Sequence, residues 1–183
     1  MLEYDLVRVF DHPLKFRMYL PSAIVLFGGG GGAVGSYAVE MQWRPTPNDA
    51  VKHDTLLLRW DTAALQEHFA EIDDEIAINR KRDHDDAART ELAAVVVGVA
   101  AMSVIEAATV FSDRSRTGTS HDFFLNDRSD EMIEIAGRWE GGLPGLFAEK
   151  CDQSAQNSTL RKRWVSVTIF SRTPRNMTEG LLP

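Results

Sequence analysis

Asp122 and Glu134 are the residues of this chain whose types and spacing most directly suggest chemistry. They lie in residues 117–137, TGTSHDFFLNDRSDEMIEIAG, which read as two short strands, 121–125 and 131–137. Between the strands stand the turn-forming residues Asn126, Asp127, Arg128, Ser129 and Asp130. With the turn centred on Arg128, Asp122 falls opposite Glu134 with the same parity, so both point to one face. Two carboxylates held there repel each other unless a cation lies between them. A divalent ion that prefers oxygen ligands, such as Mg2+, meets that requirement.

Several elements must position this pair. Residues 87–111 form a long apolar run of mostly Ala and Val, which predicts a helix buried all round and capped by Asp86. A polar connector at 112–118 leads into the hairpin. After the hairpin, EGGLPG at 140–145 is a turn, 146–156 a short helix, and 164–170 a strand with Val165, Val167 and Ile169 on one face. The tail from Ser171 has little pattern. Residues 1–60 read as a β-rich lobe, with strands expected at 6–10, 16–20, 36–44 and 54–60 and a continuous apolar run at 23–27. Residues 61–86 read as an amphipathic helix, 61–78, plus a charged connector, with Asp61 or Thr62 as cap. The expected fold class is therefore α/β (α+β), in three segments: 1–60, 61–86 and 87–183.

From Ala87 the predicted order is helix, strand, strand, helix, strand, with acids on the two hairpin strands. This resembles the core of the restriction-endonuclease-like, PD-(D/E)XK, superfamily, over the second half of the chain only. The resemblance implies that Asp122 is the family aspartate and Glu134 the acid of the (D/E)-x-K triplet, together holding Mg2+ as metal ligands. It implies Glu91 as the acid from the preceding helix, with Glu106 second. The triplet reads Glu134-Ile135-Ala136, so its lysine is missing. Members of the superfamily can supply that group from the following helix, which points to Lys150, with Gln153 one helical turn on. Arg138 is a poorer substitute, because a guanidinium stays protonated.

Two functional classes follow from the resemblance. One is a catalytically degenerate binding or assembly subunit of a nucleic-acid-processing system, working with a protein partner or as a homo-oligomer. The other is an active Mg2+-dependent nuclease on DNA or RNA, with Asp122, Glu134, Lys150 and Glu91 as its catalytic residues. Arg161, Lys162, Arg163 and Arg172 surround the last strand and are the candidate nucleic-acid-binding residues. Against a general polyanion binder stand the net charge of -7 and the pI near 5.2.

Other motifs compete. Gly30, Gly32 and Gly35 in the run 28–35 match the spacing G-x-G-x-x-G, a nucleotide-binding alternative. That motif needs a helix next, whereas 36–44 has strand period, so a flexible hairpin loop is the expected structure there. His53-Asp54, His84-Asp85 and His121-Asp122 are HD dipeptides, but they follow no ligand spacing such as H-x-x-x-H. Cys151 is the single cysteine, which excludes an internal disulfide and a multi-thiolate metal site. Residues 92–111 are about long enough to span a bilayer. They carry Ser103 and Glu106 and lack a flanking basic cluster, so a core helix and no membrane contact are expected. The start, MLEYDLVRVFDH, has acids where a secretory signal has basic residues, and a cytoplasmic protein is expected.

Overall fold

The fold is mixed α/β, seen in a computed structural model that describes residues 1–14, 16–81, 86–107, 109–114, 122–126, 128–156 and 161–181. The described residues form one sheet of eight strands: β1 (Leu2–Asp5), β2 (Val34–Arg44), β3 (Lys52–Asp61), β4 (Phe111–Arg114), β5 (Phe123–Leu125), β6 (Arg128–Arg138), β7 (Lys162–Ile169) and β8 (Arg175–Leu181). Their spatial order is β1-β3-β2-β8-β7-β6-β5-β4. The long strands β2 and β3 are an antiparallel hairpin, and β4, β5 and β6 are an antiparallel run. The pairs β2–β8 and β6–β7 are parallel. Because β2 lies beside β8, the strands of residues 1–60 and those of 87–183 share one sheet. The main apolar cluster likewise runs from Tyr4 to Phe170.

Five α-helices cover the sheet: α1 (Leu20–Leu26), α2 (Thr62–Gln66), α3 (Ile72–Lys81), α4 (Asp86–Ile105) and α5 (Leu143–Ala155). Helix α4 has no proline and few polar residues, and its Ala and Val side chains pack on β6 on one side and α1 on the other. Two glycines set how close it comes. A Cβ on Gly137 would sit 2.5 Å from the Thr90 carbonyl oxygen and 2.6 Å from the Ala94 Cβ. A Cβ on Gly98 would sit 2.8 Å from the Ile135 Cδ1. α5 begins with Pro144 in its first turn, where a missing N–H costs nothing. It covers the opposite face of the sheet, packing Leu143, Leu146 and Phe147 on Val165, Val167 and Ile169. The α4 stretch is the one described helix long and apolar enough to cross a membrane, at mean hydropathy 1.7, and 67% of that stretch is buried within the fold.

Several local expectations are corrected. Residues 6–10 are not a strand but a 3-10 helix, Leu6–Asp11, whose first turn is held by Asp5 Oδ1 accepting from Val7 N at 3.0 Å. Residues 16–20 are a short 3-10 turn, Phe16–Met18, running into α1, and Pro21 starts that helix rather than closing a strand. The apolar run 23–27 belongs to α1, since a short apolar run has no period that separates helix from strand. The expected helix 61–78 is two helices, α2 and α3, with Asp61 Oδ1 capping α2 through Ala63 N at 2.9 Å. Its apolar residues Leu65, Phe69, Ile72 and Ile76 are all buried. α4 ends at Ile105, and Phe111 opens β4. The tail carries β8, whose inward Asn176 and Thr178 bond Ser166, Thr168 and the Val167 carbonyl.

The glycine loop is not a hairpin. It joins α1 to β2, so a helix precedes it and a strand follows, the reverse of the dinucleotide motif. Gly28, at φ 83, and Gly29 close α1, their N–H groups donating to the Val25 and Ile24 carbonyls. Gly32, at φ 68, donates its N–H to Asp73 Oδ1, and the Arg80 guanidinium donates to the Gly29 carbonyl. Gly35 lies against Trp60. The loop backbone is thus taken up by side chains of its own protein.

Candidate functional site

The hairpin register decides where the two acids go. Phe123 pairs with Ile133 and Phe124 with Met132, so Asp122 comes opposite Glu134 at the end of β5. A bulge near Leu125 and the left-handed Asn126 (φ 57) absorb the tight closing turn without moving that register. β5 begins at Phe123, and among the described residues no strand pairs with β6 beyond Ile133 on that side. Asp122 caps this edge: its N–H donates to the Ile133 carbonyl at 3.0 Å, and its Oδ2 accepts from Ile135 N at 2.8 Å.

Side chains alternate along β6. Ile133 and Ile135 face α4, and Glu134 and Ala136 face α5. Glu134 is 3% exposed and is met by Lys150 of α5, Nζ to Oε1 at 2.7 Å. Lys150 also donates to Gln153 Oε1 at 2.9 Å, one turn along the same helix. Burial pushes the Glu134 carboxyl up to about 7, and the charge of Asp122 adds to the rise; Lys150 opposes both.

Glu91 arrives from the other side of the sheet. The contact of Gly137 with Thr90 brings the first turns of α4 against the end of β6, and Glu91 follows Thr90. Glu91, Asp122, Glu134 and Lys150 line one cavity of about 290 Å³ at the β6 edge. Glu149 and Arg138 lie at the same cavity and pair with each other at 3.4 Å. Glu106, the second helix acid, is elsewhere: both its oxygens accept from Lys162 Nζ at 2.7 Å.

The cavity offers carboxylate oxygens, the donor type Mg2+ takes. The pair Asp122–Glu134 fits such an ion on one observation. Burial and the charge of Asp122 favour the protonated form of Glu134, and a divalent cation between the two acids would oppose that shift. Among the described residues no three His, Cys, Asp or Glu side chains gather as a metal cluster. A two-carboxylate site leaves the remaining positions of a Mg2+ ion to water and phosphate oxygens, its common arrangement beside phosphate substrates.

The basic residues do not share one surface. Arg161 pairs with Asp130 and the buried Glu131, Lys162 with Glu106, and Arg163 is buried and donates to the Ser154 carbonyl. Arg172 is exposed just beyond β7, at the other end of that strand from Arg161. The eight residues of β7 put these ends roughly 25 Å apart. His53 is exposed on β3, with Asp54 accepting from Trp43 Nε1, and His68 stacks on Phe10. His84 and His121 lie outside the described residues, as does Asp127 of the turn. Cys151 is half-buried, and burial, with the nearby charges of Glu179 and Asp152, pushes its thiol up to about 11, far from a thiolate nucleophile.

No family model, curated protein or solved structure compared with the chain matches it.

Two features in and near the cavity had no signal in the sequence. One is the Ile135 amide that orients Asp122, which only the fit of Asp122 against β6 reveals. The other is Trp139, one residue past Arg138 and 51% exposed, whose position at a rim follows from where β6 stops.

Proposed function

We propose that this chain is a divalent-metal-dependent phosphodiesterase of the PD-(D/E)XK type, acting on nucleic acid. The observation that carries the proposal is Lys150 Nζ at 2.7 Å from Glu134, with Asp122 on the adjoining strand. Arg138, at the same cavity, pairs with Glu149, which leaves Lys150 to stand in for the missing triplet lysine. The order α4, β4, β5, β6, α5, β7, with β7 parallel to β6, supports an endonuclease-like core, to which β8 and residues 1–60 are added.

In this proposal Asp122 and Glu134 hold Mg2+, which supplies positive charge to the phosphoryl oxygens when bound. Asp122 is oriented by the Ile135 amide, so the ligand oxygen is aimed before substrate arrives. Lys150 takes the role of the missing triplet lysine: its ammonium sits where it can position a water or share the charge of a phosphate. Gln153 fixes the Lys150 side chain in that place. Glu91, exposed at the cavity mouth, assists from α4.

The test is cleavage of single-stranded and duplex DNA and RNA with Mg2+ or Mn2+. Wild-type protein cleaves at least one of them, and Asp122→Ala and Lys150→Ala abolish it while circular dichroism stays native. Absence of cleavage of every substrate with both metals would refute hydrolysis and leave a binding or assembly subunit.

A further inference from the structure

The cavity carries more negative than positive groups. Glu91, Asp122, Glu134 and Glu149 face Arg138 and Lys150. The basic residues that might have tracked a phosphate backbone are buried, ion-paired or far along β7, as described above. Among the described residues, the site therefore offers few free cations for phosphate contacts.

Trp139 is placed to hold a nucleic acid by other means. It is the most exposed aromatic side chain among the described residues, and most other large rings are buried in the core. It shares the α4 side of β6 with Gly137 by parity, while Arg138 turns to the α5 side. With Arg89, Val25 and Leu26 it lines a shallow cavity of about 170 Å³. It meets the acidic cavity through Gly137, which lines the acidic one and lies against Thr90 of this one. Arg89 and Thr90 line the first where Glu91 lines the second, and Trp139 follows Arg138 directly. Glu134 and Trp139 are five residues apart on and just beyond one strand, so roughly 16 Å of backbone separates them and a strand must pass round the β6 edge to reach both. At about 3.4 Å per stacked nucleotide, about five nucleotides cover that span.

An exposed indole binds a base through its flat face, without regard to sequence. In a duplex that face is already covered by neighbouring pairs. Only an unpaired or flipped base can use it. Resting on the nuclease proposal above, we infer that Trp139 is a stacking platform for an unpaired base about five nucleotides from the phosphate at Asp122 and Glu134, so that the substrate is single-stranded nucleic acid.

The test uses the full chain with a nuclease-resistant phosphorothioate single strand and its duplex, and compares wild type with Trp139→Ala and Trp139→Phe. Wild type is expected to bind the single strand more tightly than the duplex. Trp139→Ala should weaken single-strand binding roughly tenfold or more, and Trp139→Phe, which keeps a ring, should stay within a few-fold of wild type. Urea unfolding of each variant checks that the fold is kept. Equal affinity of Trp139→Ala and wild type overturns the inference, as does a wild-type preference for duplex. A change of sedimentation without a change of affinity also overturns it, because Trp139 would then meet another protein. The two proposals fail separately. A protein that cleaves through Asp122 but ignores Trp139 remains a nuclease without this platform. A protein that never cleaves yet loses single-strand binding with Trp139→Ala keeps the platform and is not a nuclease.

Discussion

Replacing Glu134 by Gln should make the metal-free protein more stable at neutral and higher pH. The sign follows from linkage. Folding raises the Glu134 carboxyl from 4.5 to about 7, so between those values the folded chain keeps a proton that the unfolded chain releases. The associated stability is complete below 4.5 and disappears as the pH climbs through 7. The whole loss is about 3 kcal/mol, at 1.36 kcal/mol for each factor of ten in proton affinity. The neutral amide of Glu134→Gln would resemble the protonated acid at every pH and still accept from Lys150. Wild type and variant should therefore have similar stability near pH 4.5 and separate as the pH rises, with the variant ahead by about 3 kcal/mol above pH 7. Urea unfolding in EDTA across this range measures it, and titrations common to both proteins cancel in the difference. Adding Mg2+ above pH 7 should narrow that gap. A concentration ten times its Kd stabilises wild type by about 1.4 kcal/mol and leaves the variant unmoved. Parallel pH curves, or a variant less stable than wild type above pH 7, would refute the account of Glu134 as a buried acid crowded by Asp122.

Three further outcomes are expected. Gly137→Ala forces α4 off β6, because its Cβ would sit 2.5 Å from the Thr90 carbonyl; thermal unfolding should show a loss of about 1–3 kcal/mol, and cleavage should fall as Glu91 moves with the helix. His12 should make the protein acid-sensitive. Burial lowers its pKa below 6.5, and its Nδ1 accepts from Phe111 N, so stability falls as the pH drops below 6.5; His12→Gln should flatten that limb of the unfolding profile. Asn176→Ala strips bonds from Ser166, Thr168 and Thr178 within the sheet and should cost about 1–3 kcal/mol by chemical denaturation, whereas an exposed change such as Arg172→Ala should be nearly silent.

The hairpin was legible because its register is arithmetic. Turn-forming residues clustered between two apolar runs, and parity then assigned Asp122 and Glu134 to one face. The bulge at Leu125 changed the turn but not that parity. Lys150 could be placed on a helix from sequence, but not on the side of that helix that meets Glu134, which depends on how α5 lies on β7. The basic residues show the converse. Adjacent positions on a strand point to opposite faces, so Arg161, Lys162 and Arg163 never formed one patch, and Arg163 went inward. β8 was invisible because its inward side chains are polar and find their partners on β7, where hydrophobic period carries no signal. At the start of the chain, runs too short to show a period became 3-10 turns and a helix.

The parallel contact of β2 with β8 pairs Glu40 with Arg175, 135 residues apart in sequence. During synthesis β2 and β3 are made before β8, and one flank of their hairpin stays open until β8 is made. Loop closure over such a separation is slow compared with local structure. That flank of the hairpin is thus unpaired until β8 arrives, and a fragment cut back to residues 87–183 would expose the matching flank of β8. Anyone seeking a shorter version of this protein should trim its loops and keep both β2 and β8.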